Sequence, residues 1–113
     1  MSREVIEWLL STLKLNAIIM RIIRQNVKDD IAYDIREEFV EWLFERLKRV
    51  YSIIGAEDEC LELRKVLERE IADEDQRELL ARYIIELLYE FITMKRLKIS
   101  KFEEEKLLLE AYT

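Results

Sequence analysis

Apolar residues along this chain recur at spacings of three and four, and no stretch alternates at period two, so the pattern predicts helices throughout. A first helix, capped by Ser2, carries Val5, Ile6, Leu9, Leu10 and Leu13 on one stripe. The pattern blurs near Asn16 and resumes at Ile18, Ile19, Ile22 and Ile23, which gives a short second helix ending near Asn26. The aspartates of KDDIAYD compete for backbone donors and read as a connection. Asp34 with Glu37 has the form of a capping box and opens a long helix with Val40, Leu43, Leu47, Val50 and Ile54 on one stripe, widened by Phe39, Phe44 and Tyr51. Gly55 stands where a left-handed residue would end that helix. Cys60, Leu63, Leu67 and Ile71 mark the next helix, and Asp73 with Gln76 opens another.

That last helix, residues 76–98, is apolar almost all round. Leu79, Leu80, Tyr83, Ile84, Ile85, Leu87, Leu88, Phe91, Ile92 and Met94 leave Arg82, Glu86 and Glu90 as a narrow polar row. Such a helix is enclosed on most sides, at the centre of a bundle or between subunits. Beyond it, MKRLKISKFEEEK places Lys95, Arg96 and Lys98 at a negative helix end, and Ser100 with Glu103 at the start of a further helix. The expected architecture is all-α: a bundle of four to five helices with a central, largely buried helix, residues 1–113 forming one helical domain.

Composition narrows the chemistry. There is no histidine, which removes imidazole acid–base work, Ser–His and Cys–His nucleophiles and most transition-metal sites. One glycine and no proline exclude glycine-rich phosphate cradles, and a lone Cys60 builds neither a disulfide nor a zinc site. No cofactor or metal is implied. Charged residues reach 39% with two asparagines and two glutamines, a balance expected of a hyperthermophile. No apolar run approaches a membrane span and MSREVIEW lacks a secretory pattern, so a soluble, cytoplasmic protein is expected.

Carboxylates are the only catalytic material left. Glu37, Glu38 and Glu41, followed by Glu70 and Asp73, fit the EExxE…ExxD spacing of all-α nucleoside-triphosphate pyrophosphatases that resemble MazG, which hold magnesium between two helices. In a chain this rich in glutamate the same spacing arises by chance, and Glu37 and Asp73 already have capping roles.

Basic residues suggest partner contacts instead. Arg21, Arg24 and Lys28 follow helical spacing in a stretch without acids, and Lys95, Arg96, Lys98 and Lys101 form a second group. Together they suit an acidic protein partner or, less readily at a net charge of −6, nucleic acid; they equally balance the acidic segment from Glu57 to Asp75. Trp8 and Trp42 flank apolar stripes and serve either the core or an interface.

At RYIIELLYEFITMKRLKISKF, Arg82 to Phe102, the chain resembles the helical domains of GINS, the replication complex that activates the MCM helicase. In that family a long helix ends in an Arg-Leu-x-Lys-Ile pattern followed by an acidic helix. Here Lys95 and Arg96 precede Lys98 and Ile99, with one residue fewer between arginine and lysine. EEFVEWLFERLKRVY and SREVIEWLL are similar to the preceding family helices. The resemblance implies a non-catalytic, archaeal assembly subunit that binds sister subunits as a homo- or hetero-oligomer. A small viral or plasmid protein that binds a host factor would show the same features.

Overall fold

A computed structural model describes the backbone of residues 2–111 and the side chains of residues 2–95. Among the described residues the chain is all-helical, with α1 at Ser2–Thr12, α2 at Asn16–Asn26, α3 at Asp29–Val50, α4 at Glu59–Ala72 and α5 at Glu74–Ala111. No described helix is long and apolar enough to cross a membrane.

The short connections are set by local hydrogen bonding. α1 closes with Lys14 in the left-handed region, φ 57°, where Lys14 N donates to Ser11 O at 3.1 Å and Leu15 N to Leu10 O at 2.9 Å. α3 closes the same way on Ser52, φ 56°, with Ser52 N donating to Arg49 O at 3.2 Å and Ile53 N to Lys48 O at 2.8 Å. Both are Schellman endings, and each buries the apolar residue that follows, Leu15 and Ile53. α4 and α5 meet at the single extended residue Asp73, whose Oδ1 accepts from Asp75 N at 2.9 Å and Gln76 N at 3.2 Å. That is the cap expected from the sequence.

Several boundaries differ from expectation. KDDIAYD is not a connection: α3 starts at Asp29, with Asp29 and Asp30 in its first turn, where carboxylates meet the positive end of the helix dipole. Asp34 therefore sits exposed within α3 and caps nothing. Gly55 is left-handed, φ 77°, but lies in the loop after the helix has ended on Ser52. α5 runs unbroken through Ser100 to Ala111. A capping box and a charge reversal are each worth only about 1 kcal/mol, and serine, unlike glycine or proline, costs a helix interior little.

The central helix is α3. It packs against all four others and buries Ala32, Ile35, Phe39, Val40, Leu43, Phe44 and Leu47. Residues 76–98 do not take the organising place expected of them: α3 packs against all four other helices, whereas α5 is buried along one side only. Leu80, Ile84, Leu87, Leu88, Phe91 and Ile92 are buried, while Leu79, Tyr89 and Met94 stay 57%, 52% and 39% exposed. Among its described side chains, α5 is therefore buried on one side and largely exposed on the other.

Phe39 marks where α3 and α5 meet. It is fully enclosed, its ring centroid 5.6 Å from that of Phe91 and 6.2 Å from that of Trp42. Ion pairs from Lys95 to Glu38 and from Arg46 to Glu90 (2.9 Å) bracket this cluster, so the two helices run antiparallel there.

Candidate interaction surface

Among the described residues, the side chains singled out for partner contacts do not converge on one patch. Lys95 is half-buried, ion-paired to Glu38 of α3 and 5.7 Å from the Phe91 ring centroid. It fastens α5 to α3. Arg96, Lys98 and Lys101 lie on α5, with side chains outside the described residues. Arg21 and Arg24 are exposed one turn apart on α2; Arg24 donates to Tyr33 Oη at 3.2 Å and lies over that ring. Lys28 does not continue their row: it stands beyond α2 in extended backbone, directly before the acidic start of α3.

Both tryptophans are half-buried against the core. Trp8 lies under the Arg64 guanidinium at 4.4 Å, which ties α1 to α4. Trp42 lies under Arg46 at 5.2 Å and packs on Phe91 with centroids 5.3 Å apart. They are staples between helices, each with an arginine over its ring.

The carboxylates proposed to hold magnesium point to different neighbours. Glu37 Oε2 is sealed from solvent, with the Arg3 guanidinium as its counter-charge, and Arg36 reaches Glu37 Oε1 at 3.4 Å. Glu38 turns to Lys95, Glu41 is exposed, and Asp73 caps α5. Among the described residues no three acids, cysteines or histidines come together as a metal-binding group.

Two features were not singled out from the sequence. Arg36 is 13% exposed and spans three helices, donating to Glu7 Oε1 and Oε2 at 2.7 and 2.8 Å and to Asn16 Oδ1 at 3.0 Å. The Arg36 guanidinium holds the Glu7 carboxyl below its ordinary range against an opposing push from burial, and Glu7 in turn holds Arg36 above its own.

The second is a groove where α3, α4 and α5 meet, lined among others by Val50, Tyr51, Glu70, Leu79, Tyr83 and Glu86. Val50 belongs to the expected core stripe of α3 yet is 50% exposed, and Ile54, past the helix end, is 81% exposed. Burial pushes the Tyr51 phenol above its ordinary value, reinforced by the charge of Glu70 and by Tyr83. Leu79, Tyr89 and Met94 are also exposed on α5, among the polar residues Arg82, Glu86 and Glu90. An excess of apolar residues over what one side of a helix can bury was the sequence's hint of this face.

Comparison of the chain with protein-family models, with curated proteins and with solved structures gives no match.

Proposed function

We propose that this chain is a non-catalytic assembly subunit whose partner-binding surface is the outward side of α5, in the manner of the helical domain of a GINS subunit. The observation that carries the reading is the exposure of Leu79, Tyr89 and Met94 on a helix whose opposite side is fully committed to the core. Large apolar side chains left exposed on a surface helix are a usual mark of a protein–protein interface. Of the two ways to enclose residues 76–98, only burial between subunits fits a helix already packed from one side.

Two further points support it. Glu37, Glu38 and Asp73, the acids nearest to a catalytic pattern, are engaged in ion pairs and a cap, so the pyrophosphatase reading gains nothing. The resemblance to GINS over Arg82–Phe102 falls on this same helix, which favours replication proteins as partners. Light scattering on the full chain mixed with purified GINS subunits tests the reading. Co-elution at a fixed stoichiometry, weakened by Leu79→Asp, is expected; elution of every component at its own mass would refute the GINS assignment.

A further inference from the structure

The groove where α3, α4 and α5 meet combines exposed apolar side chains with uncompensated acids. Val50 and Leu79 lie half-exposed in it beside Tyr51 and Tyr83, and Glu70 of α4 and Glu86 of α5 add the charge. Among the described residues these two acids make no ion pair, whereas Glu68, Glu78 and Glu90, near them in sequence, are held by Arg64, Arg82 and Arg46. Arg82, the one cation among the lining residues, is the partner spent on Glu78, at 2.7 Å. Val50 and Glu70 also stand in the last turns of α3 and α4, at the negative ends of both helix dipoles. Arg49 and Arg69 share those turns but do not line the groove.

Leu79, Tyr83 and Glu86 follow at spacings of four and three, so they share one side of α5 over about 10 Å. The walls are helices whose backbone groups are already paired, and no strand edge is present among the described residues. A segment lying here must satisfy its own backbone hydrogen bonds, which selects a helix over an extended peptide. Covering Val50 and Leu79 takes large apolar residues three or four apart. Covering Glu70 and Glu86 without a counter-charge would strip water from two carboxylates, so the occupant needs cations beside its apolar stripe. Resting on the assembly reading above, we propose that the groove docks a cationic amphipathic helix of a partner protein, about two turns of large apolar residues bordered by lysine or arginine. The rim charges are exposed, so salt weakens the contact.

Fluorescence anisotropy on the full chain tests this with labelled helical peptides of about fifteen residues. One carries a leucine stripe bordered by lysines, its twin has glutamates for the lysines, and a scramble of the first has no stripe. The lysine peptide is expected to bind saturably, more weakly in high salt, and the glutamate twin not at all. Leu79→Asp and Glu86→Lys each weaken the lysine peptide about tenfold, with circular dichroism unchanged because both sites are exposed, and Glu86→Lys admits the glutamate twin. Glu41→Lys, the same charge change at an exposed α3 position outside the groove, leaves binding as it was. A scramble that binds as well as the lysine peptide, or binding untouched by Leu79→Asp and Glu86→Lys, overturns the proposal, reducing it to attraction by a net charge of −6. Self-association of the chain that Leu79→Asp abolishes and the lysine peptide does not compete with overturns it in favour of a second copy. Binding of GINS subunits with every peptide failing removes the cationic helix and leaves the assembly reading standing; failure of both removes both.

Discussion

The guanidinium of Arg36, on α3, grips both carboxylate oxygens of Glu7, on α1, at 2.7 and 2.8 Å, and uses its remaining reach to hold Asn16 at the start of α2. This planar, two-pronged contact is what lysine could not make. It sets the angle at which the first two helices lie against the central one.

Replacing Arg36 with Met therefore leaves Glu7 without its main counter-charge and removes one of the two guanidinium groups beside Glu37, whose sealed Oε2 keeps Arg3. Glu7 and Glu37 keep about a third of their side-chain surface in water, so the cost is expected at about 2 kcal/mol, below that of a fully buried pair. Urea unfolding measures it. The double variant with Glu7→Gln should lose less than the sum of the singles, by about 1 kcal/mol.

The same pair makes stability fall in acid. Glu7 titrates below its ordinary value of 4.5 in the folded chain, so between the two values the unfolded chain binds more protons. Its contribution is complete above 4.5 and is lost as the pH falls through the folded value. Unfolding free energies measured from pH 7 down to pH 3 should decline, and Glu7→Gln should flatten the lower part of that curve.

Left-handed residues give predictions of opposite sign. Ser52 and Lys14 carry positive φ at helix ends with a side chain that disfavours it, so Ser52→Gly and Lys14→Gly should each stabilise by about 0.5–1 kcal/mol. Gly55, φ 77°, has open space where a Cβ would stand, so Gly55→Ala costs only the backbone term, about 1 kcal/mol. Thermal melts of the three variants should separate in that order.

Core and outer side should also respond differently. Phe39→Ala empties the aromatic junction of α3 and α5 and is expected to cost about 3–5 kcal/mol. Leu79→Ala should fall within about 0.5 kcal/mol in the isolated chain, because the side chain is mostly wet. A large loss at Leu79 in dilute protein would contradict the exposure assigned to it.

Helix content was legible because spacing reports which residues share a side, and Val5, Ile6, Leu9 and Leu10 do line one buried stripe. Asp73 was legible as a cap because its role is local. The centre of the bundle was not: spacing counts how apolar a helix is, not where its neighbours stand, so Leu79 and Tyr89 read as core. Asp29 and Asp30 misled because aspartate suits a connection and a first helical turn equally. Arg36 was silent, since nothing in the chain links it to Glu7, 29 residues away, before the helices pack. Of the expected contact residues, Lys95, Trp8 and Trp42 make contacts between helices within the chain, while the groove around Leu79 combines residues from three helices that no single stretch contains.

Whether the outward side of α5 is covered on association is read by hydroxyl-radical footprinting, on the chain at low concentration, at high concentration and with GINS subunits added. Tyr89 and Met94 report on the outward side of α5, and exposed Tyr33, on α3 beside Arg24, serves as the internal reference. Association is expected to slow oxidation of Tyr89 and Met94 and to leave Tyr33 unchanged. Slowed oxidation at Tyr33, with Tyr89 and Met94 as reactive in the assembly as in the isolated chain, would contradict it.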